Sequence, residues 1–181
     1  ALPILIGAVA GAAVGGAIGY SMDNQAKEVA ESLNTNVNNN PTAALDPNQD
    51  LIVSNTDNYV KIMFRDDMMF ETNSENPTYA AGTKIAKITT VLQKYPNTLV
   101  QVVGHTDSRG THAYNLALSE KRATNVGNII NSTGVQNQIF SKGCSFDKPV
   151  ALNNSDANMG LNRRVEVYLY PNQQSVIDVC K

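Results

Sequence analysis

The residues with chemistry to offer gather in one stretch. Gly104-His105-Thr106-Asp107-Ser108-Arg109-Gly110 follows the apolar run Leu99 to Val103 and precedes a segment that carries Asn115, Leu118 and Arg122 at spacings of three and four. The run reads as a buried strand and the spacing as one face of a helix, so the polar loop between them meets the unpaired first amides of that helix. It is therefore a binding loop, suited to an anionic group. Arg122 looks back along the helix toward the loop that holds Asp107. A carboxylate and a guanidinium kept close without neutralising each other match the two charges of an amino-acid head group: the carboxylate accepts from an ammonium, and the guanidinium forks onto a carboxylate.

Other polar combinations carry less. His105 and Asp107 stand two apart, but no Gly-x-Ser-x-Gly elbow accompanies them and no His/Cys/carboxylate cluster completes a metal site. No catalytic residue, metal or cofactor is expected, and His105 reads as a structural residue at a strand end. Asp66-Asp67, between Phe64 and Met68, reads as a turn. Arg163 and Arg164 are adjacent at a strand start and must point to opposite faces. Arg163 is expected to face the site and Arg164 to form a structural ion pair.

Elements must position these groups. Leu51-Ile52-Val53 and Tyr59 to Phe64 flank the turn-prone Ser54-Asn55-Thr56-Asp57-Asn58 and read as a hairpin. Pro77 to Tyr95 has Ile85, Ile88, Leu92 and Tyr95 on one helical face and stops at Pro96. Tyr114 to Asn131 is a second helix, with Gly134 just past its end. Ile139 to Cys144 and Val165 to Tyr170 are further strands, the latter alternating Val165, Val167, Leu169 with Glu166, Tyr168, Tyr170. This order predicts an α+β sandwich with helices packed on one face of a mixed sheet, its parallel pairs joined by right-handed crossovers.

Ahead of this domain, Leu2 to Tyr20 has no charged side chain and as a helix would span roughly 28 Å, a borderline bilayer length. Gly7, Gly11, Gly15 and Gly19 recur every fourth residue, a stripped face that allows close helix approach in lipid. Residues 1–33 are thus expected as a membrane-active or assembly helix, which leaves self-association and docking into a larger complex open. Residues 34–50, rich in asparagine with two prolines, read as a flexible linker of about 20–25 Å mean span. Residues 51–171 form the folded domain, and 172–181 a C-terminal tail. Cys144 and Cys180 are either one bridge or two free thiols. With 14 Lys+Arg against 16 Asp+Glu in 181 residues, the chain lacks the positive field that a nucleic acid requires.

Several spaced motifs together carry a resemblance. Gly104-His105-Thr106-Asp107, Tyr114-Asn115-x-x-Leu118-Ser119-x-x-Arg122-Ala123, Gly134-Val135, Pro149-Val150 and Asn162-Arg163-Arg164-Val165-Glu166 closely resemble the OmpA-like C-terminal domain, over about Leu51 to Tyr170. Gly19-Tyr20-Ser21-Met22-Asp23, after the glycine-rich stretch, resembles the glycine-zipper subgroup of OmpA-family lipoproteins. The resemblance implies a β-α-β-α-β domain that binds peptidoglycan through the diaminopimelate of the stem peptide. It implies that Asp107 and Arg122 pair with that ligand, with lesser contacts from Thr106, Asn115, Leu118, Arg163 and Phe70. It also implies a periplasmic, outer-membrane-associated anchor in a Gram-negative envelope. The alternative is a structural subunit of an envelope-spanning secretion or motor machine, with wall binding secondary. Two departures stand out: Asn158-Met159-Gly160-Leu161 precedes Asn162 where relatives carry Gly-Arg-Ala, and Gly143-Cys144-Ser145 replaces a common Gly-x-Gly turn.

Overall fold

The computed structural model describes residues 12–181, with side chains from Ile18 onward. Gly7 and Gly11 lie outside the described residues. The elements are α1 (Ala12–Ser32), β1 (Leu51–Asn55), β2 (Val60–Arg65), α2 (Asp66–Met69), α3 (Tyr79–Lys94), β3 (Leu99–His105), α4 (His112–Ser132), β4 (Ile139–Gly143), α5 (Asp156–Asn162) and β5 (Arg164–Tyr170). Among the described residues no helix is long and apolar enough to cross a membrane.

The five strands lie in the order β1-β2-β5-β3-β4. All neighbours are antiparallel except β3 and β4, which the α4 crossover makes parallel. Threonines start both long helices: Thr78 accepts from the amide of Ala81, and Thr111 from that of Tyr114. Gly134, with φ of +83°, follows the end of α4 in a left-handed conformation that a Cβ would penalise. Helices α1, α3 and α4 bury Val29, Ile85, Ile88, Leu92, Val126 and Ile130 against the inward row Val60, Ile62, Phe64, Val100, Val102, Val165, Val167 and Leu169. This is the alternation expected of β5, and it puts Glu166, Tyr168 and Tyr170 on the opposite face.

That opposite face is covered too. Residues 172–181 do not hang free: Cys180 is bonded to Cys144, and Val176 and Val179 pack with Tyr168 and Tyr170. Over β1 and β2, Ala43 and Ala44 lie on Ile52 and Met63. The flexible linker expected at residues 34–50 is corrected by this packing. Val37 bridges Val53 in parallel along the β1 edge, and the Arg65 guanidinium donates to the carbonyls of Gln49, Leu161 and Ala44 at 3.2, 2.8 and 2.5 Å. Composition misled because the apolar partners belong to the sheet. The asparagines, moreover, though mostly exposed, satisfy local backbone, as when Asn40 Oδ1 accepts from the amide of Thr42 at 3.0 Å.

Of the membrane-active or assembly helix expected for residues 1–33, the part from Met22 to Leu33 packs into the domain. Met22, Ala26, Val29, Ala30 and Leu33 are buried in the main core, and Glu28 accepts from Lys94 and Tyr95 at 2.8 and 2.5 Å. The second half of α1 is therefore part of the globular unit.

Candidate functional site

Strand β3 delivers the binding loop to one end of the sheet. At its last residues α4 comes unusually close: a Cβ on Gly104 would lie 2.2 Å from the carbonyl oxygen of Ser119, and one on Gly143 would lie 2.5 Å from the amide of Glu120. Only hydrogen fits there. Beyond β3 the chain is pinned from several sides. The amide of Thr106 donates to the carbonyl of Ser145, whose own amide donates to Ser119 Oγ. Buried Asn115 donates through Nδ2 to the carbonyls of Arg109 and Thr111, at 2.7 and 3.1 Å, and closes the loop onto the helix. Gly110, with φ of +90°, makes the turn between them.

Above this loop lies a cleft of about 380 Å³, lined by Thr106, Asp107, Asn115, Leu118, Arg122 and Arg163, joined by Asp66, Asp67, Thr72, Asn73, Arg109 and Tyr114. Asp107 and Arg122 thus share one cleft, and neither neutralises the other. Asp107 Oδ2 accepts from Arg163 Nη1 at 2.7 Å and from Arg109 Nη2 at 2.9 Å, while Oδ1 accepts from the Arg109 amide at 2.9 Å. Burial works to raise the Asp107 pKa, but the Arg109 guanidinium and amide and the Arg163 guanidinium outweigh it and hold the carboxyl below its ordinary value. It stays ionised.

Arg122 is buried and held by α2 and the loop after it. Its Nη1 donates to Asp66 Oδ1 at 2.5 Å, its Nε and Nη2 donate to the Ser74 carbonyl at 3.0 and 2.8 Å, and its guanidinium carbon lies 4.5 Å from the centre of the Phe70 ring. Three of the five guanidinium N–H groups are thereby engaged and two remain. Burial, with Asp67 and Asp107 nearby, raises the pKa of Asp66 despite Arg122 and Arg163.

Of the residues expected at the site, Thr106, Asp107, Asn115, Leu118, Arg122 and Arg163 line the cleft. Phe70 does not; it lies under Arg122 as a support. Arg164 turns to the other face, where it donates to Glu166 Oε2 at 3.0 Å, and His105 pairs with Glu166 Oε1 at 3.1 Å. Asp66-Asp67, read as a turn, opens α2 and supplies the carboxylate that holds Arg122, which corrects that reading. The available signal was an acidic pair at the end of β2, the same end of the sheet as Asp107. Arg109 was passed over as a loop residue.

A profile of the OmpA family matches residues 69–163, a little over half of the chain. The chain belongs to the OmpA family. Within and around that family it is 35% identical over 103 residues to the probable lipoprotein YiaD of Escherichia coli, covering 56% of this chain and 47% of that protein. It is 36% identical over 96 residues to the peptidoglycan-associated lipoprotein of Buchnera aphidicola, covering 52% of this chain and 54% of that one. The chain spans about half the length of these two relatives. Among solved structures, the cell wall anchor of the type VI secretion system of Pseudomonas aeruginosa superposes with a TM-score of 0.61 at 26% identity, over 73% of this chain and 97% of that one.

Proposed function

We propose that this OmpA-family domain binds peptidoglycan without making or breaking a bond, by gripping the free amino-acid end of diaminopimelate in the cleft. Asp107 accepts from the ammonium and Arg122 donates its two remaining N–H groups to the carboxylate, with Thr106, Asn115 and Arg163 adding polar contacts and Leu118 an apolar wall. The observation that carries this is that Asp107 and Arg122 line one cleft while each is paired to a third residue. Preorganised opposite charges of that kind receive a zwitterion without first breaking each other. The same reading puts the domain at the periplasmic face of a Gram-negative envelope, associated with the outer membrane, with the uncharged N-terminal residues as its membrane contact. Co-sedimentation with purified sacculi tests it. The native protein pellets with the wall, Asp107→Ala and Arg122→Ala stay in the supernatant with unchanged circular dichroism, and pelleting of both variants at native levels rejects the proposal.

The likeness to the secretion-system anchor, which extends over 97% of that chain, favours a second reading in which wall binding serves a larger envelope assembly. Size-exclusion of the detergent-extracted protein separates the two. An isolated anchor elutes as a small species, and an assembly subunit elutes with its partners.

A further inference from the structure

The Oδ2 atom of Asp107 is crowded. Each carboxylate oxygen offers about two lone-pair positions. Oδ2 already faces three N–H groups, Arg163 Nη1 at 2.7 Å, Arg109 Nη2 at 2.9 Å and Arg109 Nε at 3.3 Å, while Oδ1 accepts only from the Arg109 amide at 2.9 Å. An ammonium that bonds to Oδ2 must therefore displace one of its donors.

The groups that donate to Asp107 differ in how readily they can leave. The Arg109 amide is fixed by the loop, because Asn115 Nδ2 holds the carbonyl of the same residue at 2.7 Å. Arg163 makes the shortest contact, its side chain is 27% exposed, and its carbonyl accepts from the amide of Asp66, so it is built into the cleft wall. The Arg109 side chain makes the longest contact, 3.3 Å from Nε, beside one of 2.9 Å from Nη2, and is 59% exposed. Because its guanidinium reaches solvent, Arg109 is the donor that can swing away while Asp107 stays buried.

The cleft also tends toward neutrality, with Asp66, Asp67 and Asp107 facing Arg109, Arg122 and Arg163. A guanidinium released from Asp107 at the mouth of the cleft is left next to whatever the ligand carries beside its ammonium. We propose that Arg109 is a displaceable counter-ion that sets the ligand class of this cleft, favouring an ammonium with a carboxylate on the same carbon over an ammonium alone. The inference rests on the wall-binding reading. Its physical content is an exchange: the ligand ammonium takes the Asp107 lone pairs given up by Arg109, and the Arg109 fork is re-paired by the ligand carboxylate. A stem peptide ending in a plain lysine amine must evict Arg109 and offers it nothing in return. A diaminopimelate stem offers the carboxylate.

The test is a pair of titrations on the full chain and on Arg109→Ala, using a synthetic stem tripeptide with diaminopimelate at its third position and its counterpart with lysine. The native chain binds the first more tightly. In Arg109→Ala the lysine peptide gains affinity because its competitor for Asp107 is gone, and the preference for diaminopimelate falls by about three- to tenfold. Arg109→Lys, which keeps the charge, retains most of the preference. An unchanged preference in Arg109→Ala overturns the role of Arg109 while leaving wall binding intact. Failure of the native chain to bind either peptide overturns the wall-binding reading and this inference with it.

Discussion

Arg122 donates to Asp66 at 2.5 Å and not to Asp107, although all three side chains line one cleft. The Arg122 guanidinium is thus held by a carboxylate, by the Ser74 carbonyl and by the Phe70 ring. The cleft pairs Asp107 and Arg122 each with other residues and leaves the two unjoined to one another.

Removing that support has a large expected cost. The Arg122 and Asp66 side chains are 7% and 13% exposed, so Asp66→Ala strands a buried cation, and urea unfolding should register a loss of about 3–5 kcal/mol. Asp66→Asn keeps an acceptor and should lose only about 1–2 kcal/mol. Equal stability for Asp66→Ala and the native chain would show that the pair is not structural.

His105 gives the fold a dependence on acid. Burial first, then the nearby Arg164, lowers its pKa, against the pull of Glu166. The folded chain keeps the ring neutral while the unfolded chain takes up a proton near the ordinary value of about 6.5. The unfolded state then binds more protons, so stability is complete above that value and declines as pH falls toward the depressed folded value. Neutral His105 donates from Nε2 to Glu166, which leaves Nδ1 as a buried acceptor without a partner. His105→Gln can keep the donor without titrating. Chemical denaturation at about pH 7 and about pH 5 should show a smaller loss on acidification for His105→Gln than for the native chain.

The Cys144–Cys180 bond closes a loop with a sequence separation of 36 and holds the tail on Tyr168 and Tyr170. Removing a bridge over a loop of that size costs about 2–4 kcal/mol. Calorimetry should show a lower midpoint for Cys180→Ser and for the reduced native chain. A reductant should leave the variant's midpoint unchanged.

Arg65 should decide whether residues 40–50 stay docked. Arg65→Ala removes the donors that hold the carbonyls of Ala44, Gln49 and Leu161. Thermolysin should then cut near Leu45 several-fold faster than in the native chain, by about the population change that a loss of about 1 kcal/mol or more in local stability brings. Equal cutting rates would mean that Arg65 is not what holds the segment.

Much of this was legible in the sequence because local signals and tertiary outcome agree. The 3-4-3 spacing of Ile85, Ile88, Leu92 and Tyr95 gives α3, the alternation from Val165 to Leu169 gives β5, and Asp107, Asn115 and Arg122 do come to one cleft. What was not legible depends on partners remote in the chain. The asparagine-rich residues 34–50 look unburiable until Ile52, Met63 and Arg65 meet them. Asp66 looks like a turn residue until Arg122, 56 positions away, reaches it. Spacing reports which side chains share a face of one element, and it is silent on which element that face meets.

The central claim is the joint grip of Asp107 and Arg122 on one zwitterion. Titration of the isotope-labelled chain with free meso-diaminopimelate, followed by amide and guanidinium NMR shifts, tests it most directly. Saturable shifts confined to Thr106 to Asn115, the Arg122 guanidinium and Arg163, all abolished in Asp107→Ala, are expected. Shifts elsewhere, or an unshifted Arg122 at saturation, would contradict it.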